Sequence, residues 1–92
     1  MSLIENGKLL YIDIGNSQTS ELVRWKADGT RIPRLDIISA RSSATDKYYK
    51  RIEKEEIRTV FKRDCDFVYV IAAKESVQYQ MLEAILDQVI LD

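Results

Sequence analysis

The 92-residue chain has no histidine, one cysteine, one proline and three glycines. Lacking histidine, it has no side chain of the type that most often acts as general base near neutral pH and most often ligates metals. The lone Cys65 excludes an internal disulfide and a cysteine-based zinc site. Its neighbours Asp64 and Asp66 are anionic, the opposite of the cationic setting that activates a thiolate. No apolar run exceeds the seven residues 67–73, against the roughly 20 needed to cross a bilayer. The N-terminus has no cationic start followed by an apolar stretch, so no signal peptide is expected. Fourteen Lys and Arg against fifteen Asp and Glu give a net charge of −1, without the basic excess of a nucleic-acid binder. Catalysis, metals, cofactors and nucleic acid are therefore not expected.

The remaining composition is that of a folded protein: 46% apolar and 32% charged residues. Its length allows one domain, residues 1–92, with a small core, since such a chain buries only roughly 60–65% of its unfolded surface.

Residues 8–14 read as a well-buried strand carrying Leu9, Leu10, Tyr11, Ile12 and Ile14. Gly15-Asn16-Ser17-Gln18 is turn chemistry, and residues 21–26, with Leu22, Val23 and Trp25, complete a hairpin. After a turn at Ala27-Asp28-Gly29-Thr30, residues 31–43 read as a helix, with Pro33 in its first turn and Leu35, Ile38 and Ala40 on one side. Leu35-Asp36-Ile37-Ile38 would also make a short strand. Residues 48–63 admit two readings. One is a helical stripe of Tyr49, Ile52, Ile57, Val60 and Phe61; the other is two strands, 48–52 and 57–62, about a polar turn at Glu53-Lys54-Glu55-Glu56. Residues 67–73, rich in β-branched and aromatic types, form a strand apolar on both faces. Residues 76–91 form a helix with Ser76 as N-cap. Its apolar stripe of Val77, Met81, Ala84, Ile85 and Val89, widened by Tyr79, Leu82, Leu86 and Ile90, exceeds the ~100° that one buried face requires. The predicted fold class is α+β: an antiparallel sheet of about five strands (hairpin, short helix, three-stranded meander) with the long C-terminal helix packed on it.

Charge is unevenly spread. Residues 46–63 carry a net +3, whereas residues 75–92 hold four acids and no base. A basic meander and an acidic helix on different faces would steer a charged protein partner.

Few motifs suggest chemistry. Asp13-Ile14-Gly15-Asn16-Ser17-Gln18-Thr19 resembles the first phosphate motif of the actin, sugar-kinase and type III pantothenate-kinase superfamily. Such enzymes close two lobes on a nucleotide, for which this chain has no room, so a hairpin turn is the reading preferred. Glu55-Glu56 and Asp64/Asp66 sit among Lys and Arg, as in solvated charged turns rather than an acid/base pair. Arg24-Trp25-Lys26 would serve as a nucleic-acid stacking platform only if all three shared a face, and strand alternation separates the indole from both cations.

The order strand, strand, short helix, three-stranded meander, long helix is similar to that of the longin or SNARE-like adaptor fold. Tyr11-Ile12-Asp13-Ile14-Gly15-Asn16 with Leu22-Val23-Arg24-Trp25 resembles the opening hairpin of that family. Residues 57–63, 67–71 and 81–86 resemble its second block. The resemblance implies a cytoplasmic, non-catalytic interaction module of the trafficking-adaptor or small-GTPase-regulator type. It would pair through its C-terminal helix or a sheet edge with a second longin or roadblock-like subunit, a small GTPase, a peptide or itself. The partner-binding residues expected on that reading are Tyr79, Leu86 and Ile90, exposed on the last helix, backed by Arg58 and Lys62.

Residues 66–91 also resemble the periplasmic domain of ExbD/TolR energy-transducing proteins, with a strand, a charged turn at Lys74 and Tyr79 leading the helix. That alternative calls for an upstream membrane anchor, which a cloned start at Met1-Ser2-Leu3 would permit, and for a closing strand after the helix. The two resemblances diverge at residues 48–63: longin-like order demands strands there, ExbD-like order a helix.

Overall fold

The computed structural model describes residues 8–16, 21–30 and 34–91. Its elements run β1 (Leu9–Asn16), β2 (Glu21–Lys26), α1 (Arg34–Ser43), β3 (Lys50–Lys54), β4 (Ile57–Asp64), β5 (Phe67–Lys74) and α2 (Tyr79–Leu91). The strands form one antiparallel sheet in the order β2-β1-β5-β4-β3. The α+β class, the five-stranded sheet and the packed C-terminal helix are as the sequence predicts. The ambiguous stretch 48–63 holds two strands, but the first is shifted: Glu53 and Lys54, expected in the turn, belong to β3, and Glu55-Glu56 alone turn the chain. Ser17 and Gln18 of the first turn, and Pro33, lie outside the described residues.

β5 explains the layering. Its alternation sends Val68, Val70 and Ala72 to one face and Tyr69, Ile71 and Ala73 to the other. The first set packs with Tyr11, Phe61 and α1 residues Ile37 and Ala40; the second with Leu9, Val60, Val77 and α2 residues Leu82 and Leu86. The two helices therefore cover opposite faces, and a strand apolar on both sides lies between them. A bulge between Leu9 and Tyr11 moves β1 from one face to the other, so Leu9 joins the α2 core and Leu10 and Tyr11 the α1 core.

Two details of the helices differ from expectation. In α1 the inward stripe runs through Ile37, Ala40 and, just past the helix, Ala44, leaving Ile38 exposed. That spacing of three and four turns Arg41 inward beside Ala40. Ser76 does not cap α2. Val77 is drawn into the core by a turn closed by its amide on the Lys74 carbonyl (3.0 Å), so the helix starts later, with Met81 and Leu82 amides on the Gln78 carbonyl.

The meander turns on two-residue loops. Glu55 and Glu56 both take positive φ (53° and 65°), the geometry of a type I′ turn, and Cys65 has φ 55° in the exposed β4–β5 loop. These residues do structural work in turns.

Candidate interaction surface

The five residues expected to meet a partner all lie on the α2 side of the sheet or on α2 itself, but most have internal duties. Leu86 is 0% exposed: with Leu82, one turn earlier, it forms the keel of α2 on the sheet, so it is core and not surface. Tyr79 is half-buried, with the guanidinium carbons of Arg51 and Arg58 each 5.0 Å from its ring centroid. Arg58 also donates from Nη1 to the Val77 carbonyl (3.1 Å) and lies 3.7 Å from Glu53, tying β4 to the turn before α2. Lys62 sits over the Tyr49 ring at 5.1 Å. Ile90 is half-buried near the end of α2.

These contacts form part of a seam that pattern reading missed. Tyr79, Glu83 and Asp87 recur every four residues along α2 and face β3. Arg51 Nε donates to Glu83 Oε2 at 2.6 Å, and the Tyr49 hydroxyl donates to Asp87. Burial first, and then that bond, hold the Tyr49 phenol above its ordinary range; the bond to Glu83 does the same for the Arg51 guanidinium. The acidic helix and the basic meander are thus not on separate faces. Glu83 and Asp87 are spent on the meander's α2 side. The missed signal was the period-two alternation of Tyr49, Arg51 and Glu53, which is visible once strands are assigned there.

With one flank of α2 turned to β3, Met81, Ile85 and Val89 lie on the opposite flank of the helix. Ile12 and Trp25 are cross-strand partners on the α2 face of the sheet, and they, like Ile85 and Tyr69, pack half-buried against the core. Geometry explains the partial cover. Five strands span roughly 19 Å at their usual spacing, whereas one helix is about 10 Å across. α2 packs over β4 and β5, leaving Ile12 and Trp25 half open and Met81 50% exposed.

On the α1 side, Asp13 is buried at 0% exposure opposite Arg24 in β2. Arg24 Nε donates to Oδ2 and Arg41 Nη2 to Oδ1, both at 3.2 Å. The carboxylate of the kinase-like string therefore latches α1 to the hairpin. Trp25 and Arg24 point to opposite faces, as alternation requires. Among the described residues, no three carboxylate or thiol side chains converge as a metal site, and no helix is long and apolar enough to cross a membrane. Searches against known family models and curated proteins find no match to this chain.

Proposed function

We propose that the chain is a non-catalytic protein–protein interaction module of longin-like type, working in the cytoplasm as a trafficking-adaptor or small-GTPase-regulator component. The observation that carries this reading is the incompletely covered α2 side of the sheet, where the cross-strand pair Ile12 and Trp25 is only half-buried and Met81 of the helix is 50% exposed, beside a helix too narrow to sheathe the sheet. Such a surface suits a second amphipathic element from a partner. The element order from which the resemblance came, and the two strands at 50–54 and 57–64, support the longin-like reading over the ExbD-like one, which needs a helix there.

Trp25 is the only tryptophan and lies on this surface, so it reports directly on its occupancy. The test is sedimentation equilibrium from 1 to about 100 μM with Trp25 emission followed in parallel, repeated with small GTPases in both nucleotide states. Association that blue-shifts Trp25 and is abolished by Ile85→Glu supports the module. A strict monomer with unchanged emission against every partner sinks it.

A further inference from the structure

We infer that β3 is a docking edge for an extended acidic segment of another protein, added as a sixth strand beside Lys50, Ile52 and Lys54. This inference rests on the interaction-module reading and gives it a second surface with a defined ligand chemistry. β3 ends the strand order, with β4 as its neighbour on one side only, so its other edge offers backbone donors and acceptors.

The two faces of β3 are used differently. On the α2 side, Arg51 is bound to Glu83, and Glu53 is paired with Arg58. On the α1 side stand Lys50, Ile52 and Lys54, which share a face by register with Phe61, Thr59 and Ile57. Neither lysine has an ion-pair partner among the described residues, and Ile52, between them, is 44% exposed. Arg63 adds a further exposed cation on that side of β4. An edge presenting cation, apolar residue and cation at alternate positions complements a strand presenting acid, apolar residue and acid.

The same arithmetic disfavours a second copy. An antiparallel β3–β3 pairing centred on Ile52 sets Lys50 against Lys54 twice over. Centring it on Arg51 or Glu53 opposes two like charges directly. A partner with acids on this face replaces that repulsion with attraction to both lysines.

The probe is a synthetic nine-residue peptide containing Glu-Thr-Val-Thr-Glu, compared with its Lys-Thr-Val-Thr-Lys counterpart. Binding is measured by fluorescence polarisation at 50 and 300 mM salt and mapped by amide shifts of the intact chain. The expected result is binding of the acidic peptide alone, weakened at high salt, with shifts centred on residues 50–54. The double variant Lys50→Glu, Lys54→Glu, with an unchanged circular dichroism spectrum, should weaken it about tenfold or more. Ile85→Glu should leave it intact, so failure here is separable from failure of the flank described above. Equal binding of both peptides, shifts away from β3, no binding, or binding only to anionic phospholipid vesicles would each overturn the assignment. In those cases the lysines serve only as guards against strand pairing, or face a lipid surface.

Discussion

Asp13→Ala tests the energetic centre of the α1 side. Its carboxylate is wholly buried and receives one guanidinium from β2 and one from α1. The two partners do not weigh equally. The Arg24 side chain is 42% exposed, so its pair is screened and contributes about 0.5 kcal/mol. Arg41 is 15% exposed, and its charge-assisted bond contributes about 1.5–3 kcal/mol, with the removed carboxylate also leaving a polar void. The expected cost is about 3 kcal/mol, a large part of the stability of a domain this size. Urea unfolding followed by far-ultraviolet circular dichroism should show a lower midpoint at unchanged slope. The midpoint of thermal unfolding should fall by roughly 12–24 °C. Double-mutant cycles supply the sharper check: coupling between Asp13 and Arg41 should exceed that between Asp13 and Arg24. A cost below about 1 kcal/mol, or the reverse ranking of couplings, refutes the latch.

Replacing Glu55-Glu56 by Asn-Gly should stabilise the protein by about 1–2 kcal/mol, because both positions hold a left-handed backbone that Asn and Gly adopt at lower cost; thermal unfolding checks it. Leu86→Ala should cost about 3 kcal/mol in urea unfolding, whereas Met81→Ala, on the exposed side of the same helix, should stay within about 0.5 kcal/mol. The Tyr49 phenol is held above its ordinary 10.0 by burial and by Asp87, so its contribution is complete below pH 10 and lost as pH rises through the folded value. Stability measured across that alkaline range should therefore fall, and Tyr49→Phe should flatten the fall.

Strand existence was legible where composition and period agreed. Residues 67–73 are apolar at every position because β5 lies under a helix on each face, and the β2 boundaries match because Trp25 alternates with Arg24 and Lys26. The site was less legible, for a reason that lies in how α2 divides its surface. Hydrophobic width along a helix says how much apolar area exists but not which part the sheet takes, since that depends on the direction in which the helix crosses the strands. Here polar partners mark the crossing: Glu83 meets Arg51 on β3, Asp87 meets Tyr49 just before it, and Tyr79 lies beside two guanidiniums. In that orientation Leu82 and Leu86 face the core, and Met81 and Ile85 lie on the other flank. A reading that ranks helix residues by hydrophobicity alone must then choose Leu86, which is fully buried, over Met81, the most available within the flank. Arg51→Ala should therefore lower the midpoint of urea unfolding by more than substitution of an uninvolved surface residue does, because Arg51 meets both Glu83 and the Tyr79 ring across the seam.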